Sequence, residues 1–322
     1  NNMALNVGSG AQVAIGKESV WGMAVADTML LDVASESLGL NVKKVKADSL
    51  IASKAKAALD LMGLTASGDV TVVLRPENAG FIMKAALGGT DTLTNPTSQY
   101  LHTIVAAAAG AAFPSYTLFA NRKQAVKKYS GMKMASLKLS GKAGDHIRAV
   151  MSWKGKDEAT GTITTSTMPS LKYYKFIGAT LTAGGTSLDI TGFELTIDNG
   201  MDDGIQTSGS GLYNTEPLHS ERSISIKIDM PYDANSETIR EANLKTETLL
   251  SSIVLHLESP SIITSTYKYR MDITLNNCAV TSEPVNVGGS GIITTSITAE
   301  ATAVGATEPI TAAIYDNVNA AY

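Results

Sequence analysis

The stretch SGDVTVVLRPENAGFIMKAALG, residues 67–88, decides how this chain is read. Its first part alternates apolar and polar side chains, as a strand with one buried face does; Pro76 then suits a first helical turn and Gly88 a stop. A strand passing directly into a short helix is a recognisable unit. SERSISIKIDMPYDANSETIREANL, residues 220–244, reads as a second copy of it.

Other alternating stretches fall around these two. SLGLNV (37–42), ASLKLSG (135–141) and HIRAVMSW (146–153) belong to the first half of the chain, and GFELTID (192–198), YRMDITL (269–275) and IITTSITAEA (292–301) to the second. Glycine-rich punctuation such as GKAGD, TAGGTS and SGSG separates them, as antiparallel sheets require. A second helix is expected within DANSETIREANLKTETLLSSIV (233–254), with Asn235 or Ser236 as N-cap.

Laying Ser37 on Gly192 matches Leu38 to Phe193, Leu40 to Leu195 and Val42 to Ile197 at an offset of 155 (192 minus 37). The following strands match at 154 (221 minus 67), and later ones at 146 (276 minus 130) and 145 (289 minus 144), the fall reflecting an extra loop near the Ala-rich stretch of the first copy. Four elements in one order at nearly constant offset point to duplication. The expected fold is mainly β: two tandem sandwich or small-barrel domains, each with a flanking helix and a long hairpin loop. Residues 1–165 form the first and 166–322 the second. The boundary falls in ATGTITTSTMPS (159–170), and PSLKYYKFIGATLTAGGTS (169–187) supplies the junction and the first strand of copy two.

Composition agrees and excludes much else. A length of 322 residues with 44% hydrophobic and 17% charged side chains supports two hydrophobic cores and a globular chain. A net charge of −4 excludes the strongly basic surface that grips nucleic acid through phosphates. Cys278 is the single cysteine, so neither an intrachain disulfide nor a thiolate metal cluster can form, and its strand-like setting suits a buried thiol. TIVAAAAGAAF (103–113) is too short to span a membrane, and the opening NNMALNVGSGAQVAIG lacks the pattern of a secretion signal, so the chain is expected in a cytoplasm until it assembles.

Chemistry-bearing motifs are sparse. His102, His146, His219 and His256 lie far apart and read as surface or strand residues. DNGMDDG (198–204) lacks the spacing and closing Glu of a calcium loop. VGGSG (287–291) has no following Lys and helix to cradle phosphate, and NRKQAVKK (121–128) reads as a solvated loop or subunit salt-bridge patch. No catalytic residue, cofactor or metal is expected.

Two long connections stand out, residues 43–66 and 198–220. Segment 36–66 carries a net +2 (five Lys against three acids) and segment 191–220 a net −5 with no Lys or Arg. Unlike charge favours contact between unlike loops of neighbouring subunits. The candidate contact residues are Lys43, Lys44, Lys46, Lys54 and Lys56 in the first loop, and Asp198, Asp202 and Asp203 in the second.

QVAIGKESVWGMAVADTMLLDVASESLGLNVKKVKADSL, the strand and helix after it, and FPSYTLFANRKQAVKKYSGMKMASLKLSGKAGDHIRAVMSWKGKDE together resemble the tail tube (major tail) proteins of long-tailed bacteriophages. The resemblance is carried by the first half and by general pattern in the second. It implies a β-sandwich with a flanking helix, stacked rings around a channel through which the genome is ejected, and hairpin loops touching the adjacent ring. It also implies tape-measure and tail terminator proteins as partners, DNA passing without specific binding, and a place in the virion tail. A duplicated chain then predicts a homotrimeric ring with pseudo-six-fold symmetry, against a homohexamer for a single-domain chain. The alternative is a virion-surface β-sandwich module that binds a host receptor or carbohydrate. That reading needs exposed aromatics, and only 6% of residues are aromatic, Trp21 and Trp153 among them.

Overall fold

A computed structural model describes residues 8–47, 59–95, 99–246, 248–287, 290–305 and 308–322. Strands take 56% of the residues and helices 10%, so the class is mainly β. In the first half run β1 (Gln12–Lys17), β2 (Met29–Leu31), β3 (Val33–Glu36), β4 (Gly39–Lys46) and β5 (Leu59–Val73). Then come helix α1 (Pro76–Leu87), β6 (Gly88–Thr94), β7 (Tyr100–Ala106), β8 (Tyr116–Asn121), β9 (Val126–Lys142), β10 (Arg148–Gly155) and β11 (Asp157–Thr160). The second half has β12 (Ala179–Ala183), β13 (Thr186–Leu188), β14 (Gly192–Asp198), β15 (Ser223–Pro231) and helix α2 (Ala234–Ile239). It continues with β16 (Leu250–Thr264), β17 (Tyr267–Ser282), β18 (Val285–Asn286), β19 (Thr294–Ala301) and β20 (Ile310–Asp316).

Each half contains two antiparallel ladders that share one long strand. In the first half the orders are β2-β1-β8-β9-β11 and β4-β5-β10-β9, with β3 running on from β4 along β5. In the second they are β13-β12-β16-β17-β20 and β14-β15-β19-β17, with β18 continuing β17 along β19. The registers match pair for pair. Val13↔Leu31 corresponds to Leu181↔Leu188, Ala14↔Phe119 to Thr182↔Val254, and Lys128↔Ala159 to Thr274↔Thr311. Asn41↔Thr65 corresponds to Asp198↔Ser223, Val70↔Met151 to Ile228↔Ile297, and Leu139↔Ala149 to Val285↔Thr295.

The ladders therefore correspond at 157 for β4 (198 minus 41), 158 for β5 (228 minus 70) and 146 for β9 and β10 (285 minus 139, 297 minus 151). The sequence offsets of 155, 154 and 145 are thus displaced. The first two slips are even, so the side chains still alternated on the correct face and the periodicity gave no warning. The hairpin β6–β7 has no counterpart among the described residues of the second half. It inserts after α1, and β7 joins the ladder of the other half through β20.

The sheets do not stop between the halves. β9 pairs with β10 on one edge and with β14 on the other, Leu139 opposite Leu195. One continuous core follows, in place of the two that length suggested: Val70, Ile82, Leu137 and Leu139 pack in the same cluster as Leu195, Ile226, Leu255 and Ile273. β9–β14 pairing makes the inner faces of both halves contiguous, so apolar residues from either side are buried together.

α1 is more deeply placed than a flanking helix. Arg75 before Pro76 is extended (φ −121°, ψ 157°), Asn78 Oδ1 accepts the Arg75 N–H at 3.1 Å, and Gly88 ends the helix at φ 74°. Ala79, Gly80, Ile82, Met83, Ala86 and Leu87 are all buried. Gly80 is required by contact, since a Cβ there would stand 2.1 Å from the Tyr322 ring. α2 is shorter than expected. Asp233 is its N-cap, Ser236 is the third residue of a capping box, a π turn (Arg240–Leu244) follows, and the expected helical tail LLSSIV is the start of β16.

The linker-like stretch 159–170 is pinned. Asp27 accepts the N–H groups of Thr164 (2.8 Å) and Thr165 (2.6 Å) and the Thr164 hydroxyl (2.8 Å). Glu77 Oε1 accepts the N–H groups of Ser170 and Leu171, and Arg75 stacks on Tyr173 at 3.7 Å. Burial opposes the charge on Asp27, but the hydrogen bonds from Thr164 and Thr165 outweigh it and lower the pKa to about 2. The Asp27 bonds are then complete above the ordinary value of 3.8 and lost as pH falls through about 2. Asp27→Asn is expected to destabilise by about 2 kcal/mol at pH 7 and to flatten the acid limb between pH 4 and 2. Urea midpoints across that range check it, and parallel acid limbs for both proteins would count against this role.

Candidate assembly interface

The two long connections behave differently. The described residues of the first are largely strand: β4 and β5 pair as the two sides of an arm, Lys43 opposite Gly63 and Lys46 opposite Leu59. Val42, Val45, Leu59, Leu61 and Met62 are exposed on it. An arm bearing this much exposed apolar surface marks an interaction site. Lys43, Lys44 and Lys46 are exposed along the same arm and make no ion pair among the described residues. Lys54 and Lys56 lie outside the described residues, as does part of VGGSG.

The second connection folds back onto the first half of its own chain. Asn199 is buried and donates through Nδ2 to the carbonyls of Ala86 and Met134, 3.0 Å each, while its Oδ1 accepts from Arg222 Nε at 2.9 Å. Met201 packs with Ala107, Phe113 and Ala135. Further out the loop reaches the base of the arm, where Leu64 N–H donates to the Leu212 carbonyl at 2.8 Å.

Its acids are spoken for within the chain. Asp203 pairs with Lys154 at 2.8 Å, and the same ammonium donates to the Met201 carbonyl. Glu216 pairs with Lys133 at 2.7 Å, and Lys133, itself buried, also donates to the Pro217 carbonyl. Asp198 accepts from Gly200 N–H, and Asp202 from the N–H groups of Gly204 and Leu218. The structure thus brings Asp203 to Lys154 of β10 and leaves Lys43, Lys44 and Lys46 on the arm.

Sequence reasoning missed a buried polar knot. His102, on β7, is fully buried; its Nδ1 lies 3.0 Å from Asp91, and its Nε2 lies 3.0 Å from the Val318 carbonyl and 3.4 Å from Asp316. The Tyr322 ring lies tilted against the imidazole at 4.7 Å between centroids, and Tyr322 donates its backbone N–H to Asp91 at 2.9 Å. Burial disfavours the imidazolium, but Asp316 and Asp91 overcome it and hold the His102 pKa up to about 9. This is a structural clamp, sealed from solvent. Arg122 belongs to another ion pair, its Nε 2.7 Å from Glu36, so NRKQAVKK is half strand and partly paired.

Among the described residues no group of three or more His, Cys, Asp or Glu is placed to hold a metal ion. A cleft of about 700 Å³ is lined by apolar Phe176, Ile177, Leu188 and Ile190 together with Asp145, His146, Lys175 and Asp189. Trp153, Tyr116, Tyr129 and Tyr174 are buried in the core, where no ligand reaches them. Cys278 is buried as well, and burial pushes its thiol up to about 11.

The model of the phage tail tube protein family matches residues 8–303. The chain belongs to that family. No match is found among curated proteins. The tail tube protein is a structural, non-enzymatic component of the virion tail, as its sequence resemblance implied. An exposed arm and a mainly β core are then parts of a subunit of a self-polymerising family.

Proposed function

We propose that this tail tube protein polymerises into stacked rings whose lumen conducts the DNA genome into the host, with three chains per ring. Each chain would supply two pseudo-equivalent units, residues 1–165 and 166–322, derived by duplication. The observation that supports this is the pair-for-pair correspondence of ladder registers between the halves. Two units per chain and six positions per ring give homotrimers. Net charge −4 suits a wall along which DNA slides without sticking, and tape-measure and terminator proteins would meet the tube at its length gauge and its end.

End-on electron microscopy of assembled tubes, with the mass of the smallest ring by light scattering, tests the reading. Three chains per six-lobed ring are expected. Six chains per ring would overturn the duplication while leaving a homohexameric tube; discrete globular monomers at high concentration would overturn the tube and favour the surface-binding alternative.

A further inference from the structure

Resting on that ring reading, we infer that the joint between neighbouring chains is a charge-reversed copy of the joint inside the chain, with Lys46 of one protomer paired to Glu300 of the next. The argument begins from the internal joint. There β14 lies on β9, and the loop leaving β14 carries Asp203 onto Lys154 of β10 at 2.8 Å.

Each member of this ion pair has a counterpart in the other half. The 157-residue correspondence of β14 with β4 takes Asp203 to Lys46 (203 minus 157). The 146-residue correspondence of β10 with β19 takes Lys154 to Glu300 (154 plus 146). The ladders agree on the second: Lys154 sits opposite Ser67 and Lys133, and Glu300 opposite Ser225 and Ala279, which are the matching positions. Both signs are inverted. Within one chain Lys46 and Glu300 make no ion pair among the described residues, and both are exposed.

The strand edges beside them are open. Among the described residues β4 pairs only with β5, and the end of β17 beyond Cys278 pairs only with β19. Transferring the β9–β14 register places Gly39 to Val42 of one chain beside Pro284 to Thr281 of the next. In the internal joint Asn199 N–H donates to the Ala135 carbonyl, so 198 and 136 form a non-hydrogen-bonded pair, as do 196 and 138. Pro284, the counterpart of Lys138, therefore falls where the edge needs no N–H. The ladder ends at Leu38, whose N–H donates to Glu36 and whose carbonyl accepts from Tyr129.

Charge reversal tests the pair. Lys46→Glu and Glu300→Lys are each expected to raise the concentration needed for ring formation about five- to ten-fold at low salt, and less at high salt. The double reversal should return it to the unmodified value. Both sites are exposed, and unchanged far-UV circular dichroism would show that folding is intact. A double reversal no better than either single overturns the pairing. A second variant reads the register: Asn41→Cys with Ser282→Cys, the counterparts of the non-hydrogen-bonded pair 198 and 136, should oxidise to covalent trimers. Intrachain or absent cross-links in assembled rings would overturn the joint. An unmodified chain that forms no ring would overturn the ring reading first.

Discussion

His102→Leu is expected to cost about 4 kcal/mol at pH 7, because it leaves two buried carboxylates without the cation that faces both. Asp91 and Asp316 are as inaccessible as His102 itself, with side-chain exposures of 1% and 2%. Leucine fills the volume but supplies neither the proton on Nδ1 nor that on Nε2. The Tyr322 ring, which lies against Gly80 of α1 as well, loses its contact with the imidazole. Two dissimilar elements, the inserted hairpin β6–β7 and the end of β20, are held together by this knot.

The same histidine sets an alkaline limit. Its pKa is about 9 in the folded chain against 6.5 ordinarily, so its contribution is complete below 6.5 and is lost as pH rises through 9. The loss amounts to about 3 kcal/mol, and Cys278, with its thiol near 11, stays neutral across the window. Denaturant midpoints at pH 6, 7.5 and 9.5 separate the two proteins: the parent should weaken with pH and His102→Leu should change little. A loss below 1 kcal/mol at pH 7, or equal alkaline slopes, would show that the clamp does not carry charge.

Much of the architecture was legible because a half-buried strand leaves a period of two in the sequence. GFELTID is the strand Gly192–Asp198 to the residue, and Pro76 and Gly88 bound α1 as proline and glycine chemistry requires. Register was not legible. A two-residue slip keeps every apolar side chain on its face, so the alignment from Leu38 to Phe193 looked as sound as the ladder's Leu38 to Leu195. The helical reading of LLSSIV failed because Leu250 and Ile253 stand three apart, a helical spacing, and the strand period of two starts only at Ile253 and Leu255. The arm lysines were identified by charge alone. The partner of Asp203 could not be, since Asp203 meets Lys154 only once β14 lies on β9, a contact between residues 49 positions apart (203 minus 154).

Asn199 shows the same limit at one residue, and its replacement carries the second large effect. In sequence it belongs to DNGMDDG, where Asn before Gly announces a turn, and a turn is present: Gly200 has φ 54°. The side chain nonetheless points inward and is 1% exposed. It joins the last turn of α1, through the Ala86 carbonyl, to β9, through Met134, and to Arg222. Arg222 in turn reaches the Ala107 carbonyl at 3.2 Å and Glu308 at 2.6 Å, so the helix, both central strands and the approach to β20 meet at one amide. Asn199→Ala strands two buried carbonyls and one guanidinium N–H, which sums to about 4 kcal/mol. Among the described residues the exposed neighbour Asp198 holds only the local Gly200 N–H, and Asp198→Ala should cost less than about 1 kcal/mol. Urea unfolding of the two variants side by side gives the comparison. Equal losses would mean that the loop's turn, and not the amide that ties the two halves together, is what the sequence protects at this point.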